Sequence, residues 1–102
     1  MMLKKKYLKS KPVCKVSFEV TKEAAKAAKK VVLVGEFNGW NTKAAPMKKL
    51  KNGKFTAVVD LEPGREYQFR YLLDDKVWEN DWNADRYVRN DFGNCENSVV
   101  VV

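Results

Sequence analysis

The densest hydrophobic feature of the chain is Val31-Val32-Leu33-Val34, four branched apolar residues followed at once by Gly35. Such a run fits a strand buried on both faces rather than a helix, because Gly35 and Asn38-Gly39 follow too closely for helical turns to propagate. Asn-Gly supplies positive φ angles, so the chain is expected to reverse at residues 38 and 39. Trp40 then falls beyond a turn and outside any alternating pattern. Its indole is either packed under the loop or offered to a ligand.

Strict alternation marks the other strands. In Val13 to Val20, Cys14, Val16, Phe18 and Val20 share one face, and Lys15, Ser17 and Glu19 share the other, the pattern of a half-buried antiparallel strand. Thr21 to Lys30 is alanine and lysine, a connection that is briefly helical at most, since so short a segment is marginal as a helix without packing. Asn41 to Pro46 reads as a loop, and Met47 to Leu50 leads into a hairpin at Lys51-Asn52-Gly53. Phe55, Ala57, Val59 and Leu61 form the next apolar face. Glu62-Pro63-Gly64-Arg65 fits a type II turn, with Pro second and Gly third. Tyr67, Phe69, Tyr71 and Leu73 then oppose Gln68, Arg70 and Leu72, and Asp74-Asp75 turns the chain again. Residues 76–96 read as a long loop with at most short strands, and loops beyond about 12 to 15 residues are often functional. Ser98 to Val102 closes the chain as a strand that fills a gap in a sheet. The count and spacing of these strands predict a single all-β domain, an immunoglobulin-like antiparallel β-sandwich over residues 12–102, preceded by a mobile lysine-rich tail at 1–11.

Composition narrows the function. A chain of 102 residues buries enough surface for one core without metal or disulfide support, and it is far too short for a barrel of about 250 residues with catalytic loops of its own. Its apolar runs fall well short of the roughly 20 residues of a membrane span, so no membrane partner is expected. The start of the chain has charge but no hydrophobic region behind it, so it is not read as a secretory signal, and a cytoplasmic location is expected. Cys14 and Cys95 lack metal-ligand spacing and there is no histidine. Free buried thiols are the simpler reading, with a disulfide open if the two end strands are neighbours. No metal or other cofactor is expected.

The charge is polarised. Residues 1–54 carry 15 lysines against Glu19, Glu23 and Glu36, a balance of +12, whereas residues 55–102 carry 5 basic and 10 acidic side chains, a balance of −5. A nucleic-acid binder that stacks bases needs its aromatics inside the positive region. Here Trp78, Trp82, Tyr87 and Phe92 stand among aspartates and glutamates instead, so no specific nucleic-acid partner is expected and the lysines read as a solvated surface.

After the core is assigned, three tryptophans and many side-chain amides remain. Trp40 and Trp78 each follow a turn, Arg70 and Gln68 point away from the buried face of their strand, and Phe92, Asn94 and Asn97 add a ring and two amides. Flat indoles beside such donors suit a sugar, whose apolar ring face stacks while its hydroxyls bond at the rim. Val31 to Trp40, Leu61-Glu62-Pro63-Gly64, Tyr67 to Asp74, Trp78 with Asp81, and Gly93 through Asn97 to Val100 together resemble carbohydrate-binding module family 48, the isoamylase early-set (N-terminal) domain. That family includes the glycogen-binding domain of the AMP-activated kinase beta subunit. The resemblance covers residues 13–102.

It implies an immunoglobulin-like sandwich that binds α-1,4-glucan (glycogen, starch or malto-oligosaccharides) without cleaving it. Residue by residue, it implies that Trp40 and Trp78 stack on sugar, that Arg70 stands where members often have lysine, and that Asn97 bonds glucose hydroxyls. Phe92 corresponds to a bulky apolar residue that enters the glucan ring, and Asn94 or Cys95 to a hydroxyl side chain, although one extra residue between Gly93 and Asn97 loosens those two matches. Trp82 departs from the usual proline and either enlarges the platform or covers the core. No catalytic residues are implied, and a glycogen-metabolising enzyme or regulatory subunit is a possible partner. The rival readings are a protein-interaction module on the same fold that has lost sugar binding, and a glycosidase using two of the carboxylates between residues 74 and 91.

Overall fold

The computed structural model of the protein describes residues 2–89 and 96–102. In chain order the strands are β1 (Met2–Tyr7), β2 (Cys14–Val20), β3 (Val31–Gly35), β4 (Lys48–Lys49), β5 (Phe55–Leu61), β6 (Glu66–Leu73), β7 (Val77–Glu79), β8 (Arg86–Arg89) and β9 (Glu96–Val101). They form two antiparallel sheets, one ordered β1-β2-β5-β4 and the other β3-β6-β9-β8, with β7 paired to β6. The expected sandwich is the fold observed.

The core lies between the sheets, where each strand sends alternate side chains inward. Val16, Phe18 and Val20 of β2 and Phe55 and Leu61 of β5 meet Val31, Leu33, Phe69, Tyr71, Leu73 and Val100 from the other sheet. The Phe18 ring stands edge-on to Phe69 with centroids 5.1 Å apart, and Phe69 stands edge-on to Tyr71 at 5.7 Å. Gly35, at the end of β3, is where the backbone comes closest. A Cβ there would lie 2.7 Å from the Gln68 carbonyl oxygen and 2.8 Å from the Phe69 Cβ, both on the paired strand. Gly35→Ala is therefore expected to cost about 1–3 kcal/mol through overpacking, read as a lower urea midpoint at unchanged slope.

Two expectations are corrected. The lysine-rich start is no mobile tail, because Met2–Tyr7 pairs along its length with β2, from Met2 opposite Glu19 to Tyr7 opposite Cys14. Leu3 packs against the core, and Lys5, opposite Val16, reaches Asp85, just ahead of β8, at 2.6 Å. Lysines on an edge strand are what one expects where pairing with a further chain must be discouraged. Second, the left-handed residues of the turn are Gly39 (φ 66°) and Trp40 (φ 58°), not Asn38 and Gly39. Asn38 is used differently: its side chain accepts the Gly35 N–H at 3.1 Å and donates to the Leu33 carbonyl at 2.9 Å, closing a 3-10 turn over Glu36–Asn38. Residues 21–30 are, as expected, a connection, and they form turns without a helix. Ala24, Ala25 and Ala28 are buried there while Lys26 and Ala27 adopt left-handed backbone.

Candidate functional site

Strand register decides which side chains share the outer face of the second sheet, since directly paired residues project to the same side. Leu72 is paired with Val32 on one flank and Trp78 on the other, Arg70 with Val34, and Gln68 with Val99. The β6–β9 register, extended one step beyond Phe69 and Ser98, sets Asn97 opposite Arg70. Trp78, Arg70, Gln68 and Asn97 therefore stand together, away from the main core.

Apolar side chains flank them on the same face. Val32, Val34 and Leu72 form a second small core covered by Ala44. The segment leaving β3 thus folds back over this face, and the Met47 N–H closes it by donating to the Val31 carbonyl at 2.8 Å. Trp40 sits on that returning segment, held by its N–H bond to the Gly35 carbonyl at 2.9 Å. Trp40 is 38% exposed and Trp78 39%. Between the returning segment and Trp78 lies a groove of ≈ 790 Å³, with Leu72, Ala44 and Pro46 as its apolar floor and wall and Thr42 and Lys43 on its rim.

The polar groups are pre-set. The Arg70 guanidinium lies 5.5 Å from the centroid of the Trp78 ring, a cation–π contact that steadies both. Asn97 is 5% exposed and donates its amide N–H to the Gln68 side-chain oxygen at 3.0 Å. Among the described residues, Arg70 Nε and Asn97 Oδ1 are buried without a hydrogen-bond partner. A donor and an acceptor left unsatisfied on neighbouring strands are exceptions of the kind that call for a functional account. Trp82 is 53% exposed, so it does not fill the core. Phe92 and Asn94, with Gly93 and Cys95, lie outside the described residues. Cys14 is a free, buried thiol.

Sequence reasoning missed the network that anchors the chain beyond Trp78. Asp81 is fully buried: one carboxylate oxygen accepts the Tyr71 hydroxyl at 2.7 Å and the other the Asn83 N–H at 2.8 Å, while its own N–H donates to Ser98 Oγ at 2.8 Å. Asn80 adds bonds to the Ser98 N–H and Oγ and to the Glu96 carbonyl. Asp81 entered the sequence reading only as part of the matched Trp78–Asp81 block, and alternation and spacing gave no sign that it is buried. Burial, then the Asp81 charge, then the hydrogen bond between them push the Tyr71 phenol well above its ordinary range. A raised native pKa stabilises the fold below the unfolded value and is lost as pH climbs through the native one. Absorbance titration is expected to show one tyrosine resisting ionisation above about pH 10, with stability falling as pH rises there.

Trp78, Arg70, Gln68 and Asn97 thus share one face of an antiparallel sandwich, and Trp40 stands exposed on the segment that leaves β3. A family model described as the glycogen recognition site of AMP-activated protein kinase matches residues 19–102, and the chain belongs to that family. The chain is also 38% identical over 59 residues, 58% of its length, to Protein PTST homolog 2, chloroplastic, from Arabidopsis thaliana, and that match spans 10% of the relative.

Proposed function

We propose that the domain binds an α-1,4-glucan chain across the outer face of the second sheet without cleaving it, and so localises a partner on the polymer. Trp40 and Trp78 stack on pyranose faces, Arg70 and Asn97 bond hydroxyls at the rim, and Gln68 holds the Asn97 amide. Phe92, Asn94 and Trp82 are proposed to extend the contact. The observation that carries this reading is Trp78, 39% exposed on the outer face with the Arg70 guanidinium 5.5 Å from its ring.

Magnitudes point to a modest affinity. If each indole removes about 100 Å² of apolar surface from water, counting both partners, it contributes on the order of 2.5 kcal/mol. Two stacks and a few partly offset hydrogen bonds, less ordering costs, leave about 4–7 kcal/mol, dissociation constants from millimolar to about 10 μM. Such affinity suits attachment to a polymer that offers many sites.

Affinity electrophoresis in gels containing glycogen tests the proposal. Wild-type protein is expected to be retarded, the retardation lost in Trp40→Ala and Trp78→Ala and kept in Lys4→Ala, on the edge strand of the other sheet. Unretarded wild-type protein would favour an interaction module that no longer binds sugar.

A further inference from the structure

Between the connection over residues 21–30 and the β4–β5 hairpin lies a cavity of ≈ 590 Å³. The connection contributes Ala25, Ala27 and Ala28 to its lining, and the hairpin contributes Asn52, Gly53 and Phe55. It shares no lining residue with the groove beside Trp78, so glucan bound on the outer sheet face leaves it open.

Lys22, Lys49 and Lys51 meet at this cavity, and no carboxylate lines it. Among the described residues none of the three is ion-paired, whereas Lys5, Lys15, Lys26, Lys30 and Lys54 all are. Glu19 is already held by Lys54 at 2.6 Å, and Glu23 does not line the cavity. Two of the three lysine stems are fixed in place. A Cβ on Gly53 would lie 2.9 Å from Lys22 Cδ and 3.0 Å from its Cγ, so that stem rests on the hairpin backbone. Lys49 is paired with Phe55 across the hairpin, and its ammonium lies 5.7 Å from the centroid of that buried ring. Like charges gathered without a counter-charge repel one another, and an anion between them removes that cost.

The number of ammonium groups identifies the anion. A phosphoryl group carries close to two negative charges at neutral pH and three acceptor oxygens, and lysine binds it as a point charge. The Asn52 side-chain oxygen accepts the Lys54 N–H at 3.0 Å, which leaves its amide nitrogen to donate to a ligand oxygen. The alanines offer a small apolar surface to the carbon skeleton behind the phosphate. We propose that this cavity binds a phosphomonoester of sugar size, its phosphate among Lys22, Lys49 and Lys51 and its carbon skeleton against Ala25, Ala27 and Ala28. The site stands apart from the glucan face, so the domain reads a soluble phosphate ester whether or not polymer is bound.

The test is an NMR titration of the isotope-labelled chain with glucose 6-phosphate at constant ionic strength. The Ala27 and Gly53 amides are expected to move along one saturable curve with a dissociation constant of about a millimolar, and glucose should leave them in place. Lys22→Gln, Lys49→Gln and Lys51→Gln should each weaken binding by about two- to fivefold, as losses of exposed charge pairs do, with the thermal transition retained. Lys6→Gln, on β1, should change nothing. Inorganic phosphate should bind about threefold more weakly than the sugar ester, since it buries no carbon surface. Equal binding of inorganic phosphate would overturn the contact with the alanines. Unmoved Ala27 and Gly53 amides, equal shifts from glucose or from sodium chloride at matched ionic strength, or an equal loss in Lys6→Gln would each overturn the site itself.

Discussion

Trp78→Ala is expected to weaken β-cyclodextrin binding by about fifty- to a hundredfold in calorimetry, the largest loss of any single substitution on the glucan face. Removing the indole forfeits its share of stacking, on the order of 2.5 kcal/mol. It also leaves the Arg70 guanidinium, 5.5 Å from the ring centroid in the native protein, without its aromatic platform, a contact worth about 0.5–1 kcal/mol at a partly exposed site. Trp78→Phe keeps a smaller flat ring and should recover part of the loss. Since Trp78 is 39% exposed at a three-residue strand, neither change should shift the thermal midpoint much. Binding reduced with stability intact is the signature expected. A large fall in stability in Trp78→Ala would mean that the ring is structural.

Asp81→Ala should have the opposite profile. The buried carboxylate accepts the Tyr71 hydroxyl and the Asn83 N–H, and truncation leaves both without an acceptor in a region closed to water. Two such losses cost about 3 kcal/mol, which for a domain of this size lowers the melting temperature by about 12–20 °C. The double variant Tyr71→Phe with Asp81→Ala should be less destabilised than the two single losses added together, because the hydroxyl and carboxylate share one interaction. A cost near the ~0.5 kcal/mol of an ordinary surface substitution would show Asp81 to be solvated in the native protein.

How far the sequence reveals this arrangement depends on the kind of interaction. Period-two alternation was enough for β2, β5 and β6, since burial of one face leaves its record in every second residue. The double-sided burial of Val31 to Val34 was legible too, but not what covers the outer pair, since Ala44 is a small residue in a loop. β1 stayed hidden because lysine stems serve an edge strand without looking apolar. Trp40 and Trp78 stood out as rings with no core position to fill, and both are half-exposed. Asn38 and Asp81 were opaque for a common reason: side-chain bonds to distant backbone depend on three-dimensional meeting, and the same residue types populate solvated turns. Asn97 stood out as a side-chain amide left after the core was assigned, but its burial against Gln68 is a product of strand register.

The proposed function has the Trp40 and Trp78 indoles stack on one glucan, and a titration with β-cyclodextrin followed through the tryptophan indole N–H signals tests it most directly. With three tryptophans in the chain, each signal is assignable by single substitution. The expected result is that the Trp40 and Trp78 signals move along one saturable curve with a dissociation constant between millimolar and about 10 μM, while backbone amides of the four-stranded sheet stay in place. Signals of Trp40 and Trp78 that remain fixed while the sugar binds elsewhere, or at any concentration of sugar, would contradict it.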